Sequence, residues 1–350
     1  MSAEIYHKLR KHLDQLHGPC PKTETGVEIK ILKKLFTPEE AKIAVNLKFL
    51  PEQVSAIAAR LGMPEAEAAE KLDSMARQGS ILRFRAGEKI YYFAIPFVIG
   101  VYEFHLNSID RELAEMMEEY LPVLSLAFAK TKTKQLRVIP VASSVDASLK
   151  VETYDQVREL VKKHDLFAVA PCICRKEQSL LGHNCQRPYE TCLTFGIGAQ
   201  YYIENKLGRK ISLDECLKIL DQAEEHALVL CPTNAQLINN ICCCCSCCCG
   251  ILRGAKLLPK PAEGVTSSYQ AGIDPDLCTG CGECIERCQM EAIKEGDQFT
   301  IDLDRCIGCG LCINTCPTGA MSLKPKPEQI RPPTSSPETA IKIMKERGII

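Results

Sequence analysis

The sequence predicts a three-part α+β chain, and three observations carry that reading. Residues 1–100 are charged, helix-patterned and closed by a hairpin signal. Apart from Cys20, all 22 cysteines lie beyond position 171, so the two halves of the chain have different tasks. One cysteine pattern then occurs twice between residues 278 and 317. The expected division is a helical unit with a hairpin at 1–100, an α/β Cys-rich centre at 101–254, and a linker at 255–269. The doubled pattern follows at 270–324, and a Pro-rich tail with a short helix at 325–350.

At 350 residues the chain can bury more than one core. Lys plus Arg number 43 against 44 Asp plus Glu, so no global basic field invites nucleic acid. The opening "MSAEIYHKLRKHLDQLHG" is amphipathic and lacks the apolar core of a signal peptide. The longest apolar run, "FAIPFVIGVY", contains a Pro and a Gly and is far short of the roughly 20 residues of a membrane span. A soluble, cytoplasmic protein is expected. In that setting a dense set of thiols points to metal ligation and not to a disulfide framework.

In the first part, "TPEEAKIAVNL" opens with Thr37 as helix cap, Pro38 at the first helical position and Glu40 three residues after the cap. "PEQVSAIAARLG" places Val54, Ile57, Ala58 and Leu61 on one stripe, closed by Gly62. A third helix, "PEAEAAEKLDSMARQG", stops at Gly79, and "ILRFRAGEKIYYFAI" reads as two strands around a tight turn. This order resembles a winged-helix domain, the helix-turn-helix variant of many transcription regulators. The resemblance implies that the third helix would meet DNA. Its leading end carries Glu65, Glu67, Glu70 and Asp73 against only Lys71 and Arg77, which opposes phosphate contact. A docking or structural wing is therefore expected, and the basic run "KTKTKQLR" (130–137) reads as a solvated face.

Downstream, "SIDRELAEMMEEYL" reads as a helix, "QLRVIPVA" and "LFAVAP" as strands, and "TYDQVRELVKKH" as the helix between them. That strand–helix–strand unit delivers the chain into "PCICR". The linker is rich in Pro, Gly and Ser. The tail ends in "SPETAIKIMKERG", capped by Ser335 or Ser336, whose Ile341, Ile343 and Met344 need a surface to dock on; the rest of the same chain is the simplest one.

"CTGCGECIERC" (278–288) and "CIGCGLCINTCP" (306–317) share the spacing C-x2-C-x2-C-x3-C, offset by 28 residues. They resemble the two-cluster bacterial ferredoxins over about residues 270–324. The resemblance implies two [4Fe–4S] clusters with crossed ligation. Cys278, Cys281, Cys284 and Cys316 would hold the first, and Cys306, Cys309, Cys312 and Cys288 the second. Gly280 and Gly308 sit where each loop must turn tightly. "AIKEGDQFTIDL" supplies a hairpin between the repeats, and Gln289 stands where the pattern usually has Pro.

"ICCCCSCCCG" (241–250) holds seven cysteines in ten positions. With Cys172, Cys174, Cys185 and Cys192 it is read as a possible further Fe–S centre, the candidate ligands from the run being Cys242, Cys245, Cys248 and Cys249. Arg175 would offset thiolate charge. Adjacent side chains diverge, so the run cannot all serve one cube. Its "CCG" end is partly similar to the Cys-rich motif of heterodisulfide-reductase-type proteins, which implies a non-cubane cluster at a thiol-reducing site. Cys216 and Cys231 read as buried apolar residues, and His183 as a surface histidine.

The whole order is similar to uncharacterised proteins of anaerobes named for a 4Fe–4S ferredoxin iron–sulfur binding domain, which implies architecture and not a substrate. An electron carrier between redox-protein donor and acceptor is the first reading. A reductase acting at the central centre on a disulfide or small molecule is the alternative, and a redox-sensing winged-helix regulator the second alternative. Homo- or hetero-oligomers are both compatible with it. "GIGAQY" is a lone G-x-G that reads as a helix start, so no self-contained nicotinamide enzyme is expected.

Overall fold

The computed structural model describes residues 2–145 and 151–350, and it is a mixed fold of helices and antiparallel sheets, α+β. Helices α1 (Ser2–Asp14), α2 (Val27–Leu35) and α3 (Pro38–Ala44) lead the chain. The cap of α3 is reciprocal: Glu40 N donates to Thr37 Oγ1 at 3.2 Å, and Thr37 N to Glu40 Oε2 at 2.8 Å. Strand β1 (Glu52–Gln53), helices α4 (Val54–Leu61) and α5 (Glu65–Gln78), and strands β2 (Leu82–Ala86) and β3 (Lys89–Phe93) follow. The strands form an antiparallel sheet of order β1-β3-β2. Gly79 ends α5 at φ 97°, with the Phe104 backbone so close that a side chain there would collide with it.

The centre runs through α6 (Tyr102–Phe104), α7 (Arg111–Ala129), α8 (Val157–Val161), β4 (Phe167–Pro171), α9 (Ile173–Leu180), β5 (Glu190–Phe195) and α10 (Ile197–Glu204). It continues with β6 (Arg209–Ile211), α11 (Leu213–Glu225), β7 (Val229–Pro232), β8 (Asn240–Cys244) and α12 (Gly250–Lys256). The sheet order is β6-β4-β5-β8-β7, and every pairing is antiparallel. Of the expected strand–helix–strand unit, the helix α8 and the strand β4 form, but the first segment, 135–142, is not a strand of this sheet. Residues 136–139 make isolated bridges instead: Val138 N donates to Thr266 O at 2.7 Å, while Arg137 N and Ile139 N donate to β7 carbonyls at 3.0 and 3.2 Å. Pro140 then has no amide to offer.

The N-terminal sheet docks on α10. Arg83, 4% exposed, pairs with Asp73 of α5 and with Glu204 at 2.9 Å, while the Tyr201 hydroxyl donates to Ala76 O at 2.6 Å and Ile81 O at 3.1 Å. The outer face of α5 keeps Glu65, Glu67 and Glu70 exposed.

Beyond the centre, β9 (Tyr269–Ile273) pairs with β12 (Met321–Pro325) and encloses α13 (Glu283–Arg287) and the hairpin β10 (Ile293–Lys294)–β11 (Thr300–Ile301). Residues 255–269, expected as a linker, are instead packed: Thr266, Ser267 and Ser268 are buried, and Lys326 N donates to Ser268 O at 2.8 Å. Their Pro/Gly/Ser content marks irregular backbone, and the hydrogen bonds needed to bury it come from neighbouring segments. Helix α14 (Ser336–Glu346) is capped by Ser335 and docks on the same chain through Ala340, Ile343 and Met344. Arg347 just beyond it donates to Leu16 O at 2.7 Å and pairs with Asp14 at 3.0 Å.

Candidate iron–sulfur and thiolate sites

Each copy of the doubled pattern wraps a loop around a short turn, but the two loops meet different surroundings. Cys281 is exposed, Cys278 and Cys316 are half-buried, and Cys284 is buried; neighbouring Cys281, Cys278 and Cys316 raise its thiol further after burial. In the second copy Cys306 and Cys312 are buried, and burial first, then the charges of Cys309, Cys288 and Cys306, push the Cys312 thiol up. Cys281, Cys278 and Cys316 thus lie near Cys284, and Cys309, Cys288, Cys306 and Cys284 near Cys312. Ala271 N lies 3.3 Å from Cys306 Sγ and Ala292 N 3.3 Å from Cys288 Sγ. Gly280 faces open space at φ 68°, whereas a side chain at Gly308, φ 65°, would strike the Tyr269 carbonyl.

The second loop is also the one that touches the centre. Val141 N donates to Cys309 O at 3.1 Å, and Cys309 packs against the central core close enough to feel the charge of Cys231. Gln289, 5% exposed, accepts from Ser246 N at 2.9 Å through its side-chain carbonyl. The residue that departs from the usual Pro thus ties the repeat to the poly-cysteine run. Arg287 adds three bonds to carbonyls, of Leu311 at 2.8 Å, Glu225 at 3.2 Å and Glu224 at 2.7 Å.

The central cysteines separate into two groups. On the sheet, Cys192 pairs in register with Cys242, and Cys242 with Cys231, so three adjacent strands present three thiols on one face. Alternation along β8 adds Cys244 to that face and turns Cys243 away into the core. Cys172 caps α9, Cys174 lies in its first turn, and Cys249 caps α12, all facing the same cavity of about 160 Å³. Around the cavity Cys172 neighbours Cys174, Cys174 neighbours Cys249, Cys249 and Cys242 neighbour Cys244, and Cys242 neighbours Cys192. Bonds from Cys174 and Cys244 hold the Cys249 thiol down at about 6, and bonds from Cys192 and Cys244 hold Cys242 well below the usual thiol range. Carboxyls share the cavity: burial raises Glu103 to about 8 and Glu177 to about 7, with Gly100 N donating to Glu103 at 2.6 Å and the Tyr102 hydroxyl donating to Glu177.

The second group is Cys185, Cys245, Cys247 and Cys248, whose sulfurs all lie within 4.8 Å of one another. Of the eight further ligands expected from sequence, Cys172, Cys174, Cys192, Cys242, Cys245, Cys248 and Cys249 line the cavity and Cys185 does not, while Cys245 and Cys248 also close on Cys185 in the second group. Cys231 and Cys244 join the cavity and Cys247 joins the other group, none of them singled out by spacing. Cys216 is core, and His183 is exposed.

Residues 271–323 match the family model of the 4Fe-4S dicluster domain. The chain thus contains an iron–sulfur domain over its doubled pattern. No curated protein and no solved structure matches the chain. The dicluster region has the donors such groups need, with eight free thiols and backbone amides aimed at sulfur. The cavity fits an anionic centre too. Arg175 is 2% exposed, donates to Cys243 O at 3.1 Å and to Thr191, feels the charges of Cys172, Cys245 and Cys244, and keeps an Nε with no partner. No helix among the described residues is long and apolar enough to cross a membrane.

Proposed function

We propose that the protein is an electron-transfer protein carrying two [4Fe–4S] clusters and a further iron–sulfur centre in the central cavity. Cys278, Cys281, Cys284 and Cys316 hold the outer cluster, and Cys306, Cys309, Cys312 and Cys288 the inner one. Cys172, Cys174, Cys192, Cys242 and Cys249, joined by Cys244, surround the third. The observation that carries this reading is the asymmetry of the repeats: one opens to solvent at Cys281, while the other lies against the sheet thiols at Cys231. A partner protein would exchange electrons at the outer edge, and the inner loop would pass them to the cavity. The protein supplies position and potential, and the clusters supply the redox chemistry.

Iron and sulfide per chain, measured on anaerobically purified protein with EPR of the reduced form, test the proposal. About twelve irons support three centres, and about eight would restrict the metal to the dicluster region. Cys172→Ser with Cys174→Ser should remove only the third signal; if both dicluster signals and the third survive, the cavity assignment fails. A second reading, a reductase acting in the cavity, is favoured by Glu103 and Glu177, whose carboxyls are raised by burial and line the same cavity as the thiols. It requires that a disulfide or small molecule reoxidise the reduced protein in the absence of a partner.

A further inference from the structure

We infer that Cys185, Cys245, Cys247 and Cys248 form a four-thiolate site for one zinc ion in the wall of the central cavity, with a ligand set distinct from those of the iron–sulfur centres. The Cys185–Cys247 and Cys247–Cys248 sulfur separations are 3.8 and 3.7 Å, and all six pairs fall within 4.8 Å. A tetrahedron with bonds of about 2.3 Å to sulfur has edges of about 3.8 Å, so the group is already close to the size of a single tetrahedral ion. A cubane demands more room, because each thiolate stands one bond beyond a different iron. Among the described residues, this is the one set of three or more His, Cys, Asp or Glu ligand atoms that closes so tightly; the dicluster quartets do not.

The backbone explains the shape. Strand β8 ends at Cys244, and the chain then curls, with Cys249 N donating to Cys245 O at 2.9 Å, so that Cys245, Cys247 and Cys248 turn to one side. Cys185 arrives from the loop between α9 and β5. Charge also balances. Four thiolates around a divalent ion leave two negative charges, and two guanidinium groups flank the site: Arg187 Nη1 lies 3.5 Å from Cys247 Sγ, and Arg175 faces Cys245. Cys245 and Cys248 are buried while Cys185 and Cys247 are half-exposed, which gives an ion a way in. Soft thiolates in a tetrahedral array select zinc over ferrous iron, which stands lower in the divalent affinity order. The ion would brace the 181–189 loop against the turn that carries Cys249 into the cavity.

The test uses the full chain with its clusters, purified anaerobically from zinc-supplemented cells. Zinc-edge X-ray absorption should show four sulfurs at about 2.3 Å and about one zinc per chain. Cys185→Ser combined with Cys247→Ser should abolish the zinc and leave iron and inorganic sulfide unchanged, whereas Cys172→Ser should keep the zinc. Zinc well below one per chain in the unaltered protein overturns the inference, as does a shell containing nitrogen or oxygen. Loss of sulfide along with the zinc in the double variant also overturns it, since a cluster would then occupy the site. The zinc count is independent of the iron count, so this inference and the electron-transfer reading fail separately.

Discussion

The two copies of the cysteine pattern are nearly superimposable as sequence, yet one lies on the surface and the other against the core. Gly280 and Gly282 have nothing within 4 Å of where a side chain would begin, while Gly308 and Gly310 abut Tyr269 and Ser144. Spacing sets the cage, and the neighbours set what the cage is for. The first loop is open to solvent at Cys281, whereas the second packs against the central core at Cys309.

The largest expected effect that sharpens this contrast comes from the paired variants Gly308→Ala and Gly280→Ala. Both lose the left-handed freedom of glycine, about 1 kcal/mol, but the inner site adds overpacking of about 1–3 kcal/mol. Denaturant unfolding of the anaerobic holo-protein should show the inner variant clearly less stable, and equal losses would break the comparison. Gln289→Pro comes next. It strands the Ser246 amide and should cost about 1–3 kcal/mol, while the dicluster EPR signals persist. Wholesale loss of those signals would mean that Gln289 supports the cage itself and not its docking.

Oxidation gives a kinetic version of the same comparison. Air or ferricyanide should bleach the protein in two phases, the faster from the loop with exposed Cys281, and Cys316→Ser should erase that fast phase. A single phase would place both loops in equivalent surroundings. The smallest effect is expected from Leu277→Ser. Leu277 is 50% exposed beside the outer loop, so stability should stay within about 0.5 kcal/mol. Reduction by an external protein donor should nevertheless slow, and an unchanged rate would move the docking surface elsewhere.

Some of this was legible before the fold. The dicluster region is visible in the doubled cysteine spacing, and the docked tail helix follows from Ile343 and Met344 needing cover. The division of the poly-cysteine run was not legible. It depends on β8 ending at Cys244: up to that residue alternate thiols face the cavity, and beyond it a turn gathers Cys245, Cys247 and Cys248 around Cys185 while Cys245 and Cys248 stay on the cavity wall. Cys231 shows the same limit. Its burial was readable from its apolar neighbours, but its membership of the cavity depends on lying opposite Cys242 in another strand. The antiparallel sheet was equally hidden, since a helix between two strands looks the same in sequence whether the chain crosses over or returns beside its start. Gln289 carried a signal, as a break in an otherwise regular pattern, without revealing its partner Ser246.

The grip of Arg347 on Leu16 and Asp14 has a consequence for biogenesis. Synthesis is vectorial, so the first helix gains its last tether only after more than three hundred further residues have left the ribosome. Until then α1 rests on contacts made within the first forty residues, such as the Tyr6 hydroxyl on Phe36 O and Arg10 on Cys20 O, and Arg347 only locks a helix already in place.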